Sequence, residues 1–174
     1  MTKQRIKIMV GDITTQNVDA IVNAANNSLA GGGGVDGAIH RAAGPNLVKE
    51  SLLLAPCQTG EAKTTKGYAL PAVWVIHTVG PIYHRHSPDK AAELLAAAYQ
   101  NSLREAVRVG AKTVAFPAIS TGVYAYPREE AAKIAVQAVA DFLRHETSIE
   151  EVRLVCFSED SAESHRAALK NMLG

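Results

Sequence analysis

A chain of 174 residues with 47% hydrophobic and 20% charged side chains has the size and composition of one globular domain, expected to span residues 1–174. Its formal charge of +1 gives no overall field for nucleic acid or a membrane surface, and no apolar run approaches the ~20 residues of a spanning helix. Cys57 and Cys156 lack metal-ligand spacing and read as reduced packing thiols of a cytoplasmic protein, and the polar start Met1-Thr-Lys-Gln-Arg-Ile carries no signal segment.

Arg5 to Val10 alternates and then turns apolar, as a sheet strand does. Gly11 to Asn17 is a polar connection, and Ala20 to Asn23 a short buried strand. Four consecutive glycines follow, Gly31 to Gly34, where each costs about 1 kcal/mol against Ala in a helix. Such a run belongs where backbone approaches something closely or needs φ > 0. Val35 to Ala43 then reads as a helix ending near Gly44, and Pro45 suits the first position of a helix over Asn46 to Leu54. Thr59 to Thr65 is a loop plus strand, and Val73 to Val79 an apolar strand covered on both faces. Lys90 to Val109 carries Leu94, Leu95, Ala98, Tyr99, Leu103, Ala106 and Val107 on one helical stripe, with Gly110 as its stop. Lys112 to Pro117 is a buried strand, and Pro127 opens a helix with Ala132, Ala135, Val136, Val139, Phe142 and Leu143 on one side. Val152 to Phe157 is the last strand and Ala162 to Leu173 the last helix. Alternating strands and helices predict a layered α/β fold with a mostly parallel sheet and helices on both faces.

Ligands of parallel sheets bind at the carboxyl ends of the strands, and three loops stand out there: Gly11 to Thr14, Asn23 to Asp36, and Ser120 to Pro127. A glycine loop feeding a helix start presents free N–H groups and a positive dipole end, which suit a phosphate. A second loop of glycine and hydroxyls opposite it suits a pyrophosphate held from both sides. The glycine loop lacks the Lys-Ser/Thr pair of an ATP- or GTP-hydrolysing P-loop, and it lacks the combination of G-x-G-x-x-G with a downstream ribose-binding acid that marks hydride-transfer enzymes. His84-Arg-His86 is close-spaced without further ligands and reads as a surface loop, and no Ser-His-Asp set is evident. His40 reads as a packing or hydrogen-bonding residue of the helix after the glycines.

Asn23-Ala-Ala-Asn26, the run Gly31-Gly-Gly-Gly-Val-Asp-Gly-Ala-Ile-His-Arg-Ala-Ala-Gly44, and Phe116-Pro-Ala-Ile-Ser-Thr-Gly-Val-Tyr124 resemble the macrodomain family, and within it the MacroD-type ADP-ribose hydrolases. The similarity runs from about Arg5 to the last helix. It implies a three-layer α/β/α sandwich with a central mixed, mostly parallel sheet of about six strands, binding ADP-ribose. On this resemblance Asp12, with Ile13 beside it, meets the adenine, where the residues alone make Asp12 a turn or cap aspartate. Phe157 packs on the adenine, where the residues alone make it core. Gly33, Gly34 and Val35 give backbone contacts to the pyrophosphate, and Ser120, Thr121, Gly122 and Val123 close over it. Tyr124 covers the distal ribose, Asn26 bonds its hydroxyls, and Asn23 braces the loop near the ligand.

On the same resemblance Asp36 is the catalytic candidate, working with Asn26 on a positioned water, although an aspartate in a helix's first turn more often offsets the dipole. The implied substrates are esters on the distal ribose: O-acetyl-ADP-ribose, and mono-ADP-ribose on protein Asp or Glu. An aspartate at its ordinary pKa is ionised at neutral pH and a weak base, so Asp36 acts either by positioning a water or as a base. The residues leave both open. No cofactor and no metal are implied, and a monomer is expected. The alternatives are a module that reads ADP-ribose without turnover, and a regulatory partner protein whose pocket is secondary. Ala125 stands where relatives of this type often have glycine; if φ is positive there, the strain is about 1 kcal/mol or more.

Overall fold

The computed structural model describes residues 2–172. One six-stranded sheet runs through the molecule in the order β1-β6-β5-β2-β4-β3. Its strands are β1 (Ile6–Val10), β2 (Ala20–Ala24), β3 (Ala62–Lys66), β4 (Trp74–Thr78), β5 (Thr113–Phe116) and β6 (Glu151–Cys156). All neighbours pair in parallel except β3, which runs antiparallel to β4 at the edge. The sheet is therefore mixed and mostly parallel, as expected.

The pleat sorts side chains into two cores. Val22, Ile76, Val114, Phe116, Val152 and Leu154 face α3 (Pro88–Arg108) and α4 (Arg128–Arg144), with α5 (Glu159–Asn171) packed at the β1 side. Ile21, Val75, Ala115 and Val155, one residue out of phase, face α1 (Gly34–Ala43) and α2 (Asn46–Leu54). Period-two alternation on strands buried on both faces is what divides the molecule into three layers. The expected stripes of α3 and α4 are the buried ones, with Leu94, Val107 and Phe142 at their half-buried margins.

Helix starts differ from the sequence expectation for one local reason. Ser87 accepts from Lys90 N, so α3 begins at Pro88, and Ser158 accepts from Ser161 N, so α5 begins at Glu159 rather than Ala162. Both serine caps lie outside the apolar stripe that set the expected bounds. The expected end of α5 at Leu173 lies outside the described residues. Arg5 ties the start of β1 to the far end of α4, donating to the Leu143, Glu146 and Ile149 carbonyls. The guanidinium thus holds the last turn of α4 and the loop that follows it against the start of β1.

Candidate functional site

β2 sends the chain to α1 on one face of the sheet, whereas its neighbour β5 sends it to α4 on the opposite face. The loops after these adjacent parallel strands therefore diverge, and a crevice opens between them at their carboxyl ends. The glycine loop leaves β2 and the Ser120 loop leaves β5, so both walls anticipated from sequence belong to this crevice.

Gly33 caps α1 with no side-chain hydrogen bond, which leaves the first-turn amides without a protein side chain on them. Gly34 has φ +58°, a conformation that an L side chain adopts only with strain, and a Cβ there would meet nothing within 4 Å. The glycines thus leave an open, amide-lined floor at the positive end of α1. Gly33 and Gly34 are exposed and Val35 is half-buried. Asn26 braces this loop: its Nδ2 donates to the Gly31 carbonyl at 3.0 Å, and its Oδ1 accepts from Ser28 Oγ at 2.7 Å.

Asp36 sits in the first turn of α1 but does not cap it. The side chain is buried beneath the loop, and its Oδ1 accepts from Asn23 Nδ2 at 2.8 Å, with His40 Nε2 at 3.3 Å one helical turn on. The other oxygen, Oδ2, points to the loop: it lies 3.1 Å from the place of a Cβ on Gly32, with Asn26 Nδ2 at 3.4 Å from the same point. One oxygen is tied down and the other faces the loop beside Asn26. Asn23 requires a correction. The expectation is that it braces the loop beside the ligand, yet it is 0% exposed and its amide bonds Asp36 from below rather than the loop. Its place on β2 one residue before the strand's end turns its side chain to the α1 face, under Asp36.

The opposite wall is a tight turn. Tyr126 N donates to the Ser120 carbonyl at 2.9 Å, and Ala125 N to the Gly122 carbonyl at 3.0 Å. Ser120 and Ala125 both have positive φ, +67° and +60°. Ser120 is buried, its Oγ unpartnered and pressed against the Gly80 backbone. Thr121 is half-buried, with its hydroxyl on the Ala118 carbonyl, and Gly122 and Val123 are exposed. Tyr124 is half-buried and its carbonyl accepts from Tyr83 N, which joins this turn to the loop after β4.

Asp12 and Ile13 follow β1. Ile13 is core, and Asp12 caps a short 3₁₀ turn, accepting from Thr14 N at 2.9 Å and Thr14 Oγ1 at 2.6 Å. Those two donors hold its carboxyl below the usual carboxylate range. The cap reading of Asp12 is thus correct in structure, and its exposed carboxylate remains an acceptor. Phe157 is 98% exposed just past β6, so its reading as a core residue is wrong. Val123 at 97% exposed is a second uncovered apolar group at the same end of the sheet.

Two residues of this site were not singled out from sequence. His77, on β4, places Nδ1 3.1 Å from Asn23 Nδ2, and Thr65, on β3, places Oγ1 2.9 Å from His77 Nε2. The available signal was a histidine inside a strand expected to be covered on both faces. His40 is the hydrogen-bonding residue expected. Both cysteines are buried free thiols, and burial raises Cys57 to about 11. Among the described residues no group of three or more His, Cys, Asp or Glu side chains is placed to hold a metal.

Residues 22–135 match the Macro domain family. A Macro domain-containing protein of Chlorobaculum tepidum is 55% identical over 94% of this chain and 95% of its own. The chain belongs to the Macro domain family. A Citrobacter rodentium protein named O-acetyl-ADP-ribose deacetylase is 50% identical over 95% of each chain. Among solved structures, a point variant of the Oceanobacillus iheyensis macrodomain with ADPR superposes at TM-score 0.89 with 45% identity, covering 94% of this chain and 90% of that one. The three-layer sandwich is accordingly the macrodomain fold.

Proposed function

We propose that this macrodomain binds ADP-ribose along the carboxyl edge of its sheet and hydrolyses acyl esters of the distal ribose. The observation that carries this reading is Asp36: a carboxylate buried under the glycine loop, one oxygen bound by Asn23 and His40, the other turned toward Gly32 and Asn26. The order of strands supports the ligand. Asp12 follows β1, Phe157 follows β6, Ser120 to Tyr124 follow β5, and Asn26 to Asp36 follow β2, and those strands are consecutive in the sheet. Three strand spacings cover about 14 Å, enough to lay adenine, pyrophosphate and distal ribose side by side in that order. An exposed aromatic suits the base, free amides the pyrophosphate, and an amide–carboxylate pair the ribose. The similarity to a protein named O-acetyl-ADP-ribose deacetylase supports the acetyl ester as first substrate.

In this mechanism the free Asp36 oxygen and a phosphate oxygen of the substrate hold one water. That water adds to the acyl carbon. The tetrahedral adduct then expels the ribose oxygen, which leaves protonated, while the water's second proton goes to solvent. The products are acetate and ADP-ribose. A glutamyl or aspartyl ester on a protein presents the same acyl carbon, so removal of mono-ADP-ribose from acidic side chains belongs to the same proposal.

The test is incubation with O-acetyl-ADP-ribose and with a glutamate-linked mono-ADP-ribosylated protein, following ADP-ribose by chromatography. Release from at least one is expected, and Asp36→Ala is expected to lose about 100-fold or more in kcat while binding ADP-ribose within about threefold of the parent. Tight calorimetric binding with no release from either ester would instead make the protein a reader of ADP-ribose.

A further inference from the structure

On the α1 face of the sheet, β2 and β4 present Ile21 and Val75, then Asn23 and His77, which are register partners. The second pair is polar, and both its members are 0% exposed. Burying an imidazole is unfavourable unless its nitrogens are bonded, and here both are. Asn23 Nδ2 can only donate, so the His77 nitrogen 3.1 Å away must carry a lone pair. The ring is therefore neutral with its proton on Nε2, which donates to Thr65 Oγ1 at 2.9 Å. Thr65 in turn donates to the Lys66 carbonyl at 3.2 Å. Burial, with His40 nearby, depresses His77 to about 3, which keeps it neutral across the physiological range.

The direction of every bond in this row is thus set from the backbone inward. Asn23 Nδ2 has two protons, one for His77 Nδ1 and one for Asp36 Oδ1. Its own Oδ1 is buried without a partner. Turning the amide over would put that oxygen against both the Asp36 carboxylate and the His77 lone pair, so the two acceptors together hold the amide in this orientation while His77 stays an acceptor. We propose that His77 is a positioning residue for ester hydrolysis: acting through Asn23, it fixes the Asp36 carboxylate with Oδ1 tied and Oδ2 presented to the water. This rests on Asp36 as the group that holds the water.

The experiment compares His77→Leu, which removes the acceptor, with His77→Asn, whose Oδ1 can stand where Nδ1 stood. In His77→Leu, kcat on O-acetyl-ADP-ribose is expected to fall about 10- to 100-fold at a KM within about threefold of the parent. His77→Asn is expected to recover most of that loss even if both variants are equally destabilised, which a merely structural histidine would not do. A kcat in His77→Leu within about twofold of the parent, or no recovery in His77→Asn, overturns the proposal. Should His77→Leu not fold, long-range ¹H–¹⁵N spectra of the unaltered protein decide it: a bare Nδ1 and protonated Nε2 at neutral pH are expected, and a proton on Nδ1 overturns it. Should the unaltered protein hydrolyse no ester, the proposed function fails separately. Crystal structures then read the link without turnover, with Asp36 reoriented in His77→Leu and in place in His77→Asn; an unmoved Asp36 in His77→Leu overturns it.

Discussion

Ala125 has a Cβ in a place where the backbone asks for none. Its φ of +60° closes the turn between Gly122 and Tyr126, and left-handed backbone costs an L-residue about 1 to 2 kcal/mol. Glycine would remove that strain but bring more unfolded-state entropy, so the two effects oppose each other. Strain is the larger, and Ala125→Gly is expected to stabilise by roughly 0.5 kcal/mol, raising Tm by about 1–2 °C in a thermal melt. The possibility of strain here could be raised from sequence, because an alanine interrupts a stretch otherwise resembling glycine-bearing loops. The sign of φ could not, because it depends on Tyr126 N reaching back to the Ser120 carbonyl at 2.9 Å.

Helix α1 connects floor and catalytic candidate, and its register against the glycine loop depends on one small residue. A Cβ on Gly37 would lie 2.5 Å from the Gly32 carbonyl oxygen, a backbone atom with no rotamer to yield. Helix propensity favours Gly37→Ala by about 1 kcal/mol, whereas overpacking against fixed backbone costs about 1–3 kcal/mol. The clash acts where Gly32 also flanks Asp36 Oδ2, so it moves the site as well as the helix. With a net cost of about 1 kcal/mol, Gly37→Ala is expected to lower Tm by about 2–4 °C and to weaken ADP-ribose binding at least about tenfold by calorimetry, against the propensity scale. Unchanged Tm and affinity would show that α1 can slide on the loop. Elements with strong apolar periodicity, such as α3 and α4, were legible because period and burial coincide. The starts of α3 and α5 were not, because the capping serines Ser87 and Ser158 act through hydrogen bonds that hydrophobic spacing does not register.

For the whole molecule, buried histidines make stability depend on acid, His77 above all. In the unfolded chain His77 takes a proton near pH 6.5, but in the fold only near about 3. Between those values the unfolded state binds more protons, so stability is lost as pH falls through that window, by up to about 1.4 kcal/mol per pH unit for one such group. His77→Asn is expected to show a shallower loss of Tm from about pH 6 to about pH 4 than the parent, measured by thermal melts in matched buffers. Parallel slopes would mean that His77 is already charged in the fold. The sequence by itself determined the layered fold and the glycine-bearing crevice loops, because apolar periodicity and glycine runs are local and leave their mark on neighbouring positions, whereas Asp36 and Asn26 stood out only through the resemblance to a family. Only the tertiary structure decided that Asn23 supports Asp36 rather than the loop, that Phe157 stands in solvent, and that His77 and Thr65 join the site. Those contacts pair residues 13, 54 and 12 positions apart across separate strands and a helix, and no local pattern encodes which buried polar atoms will meet.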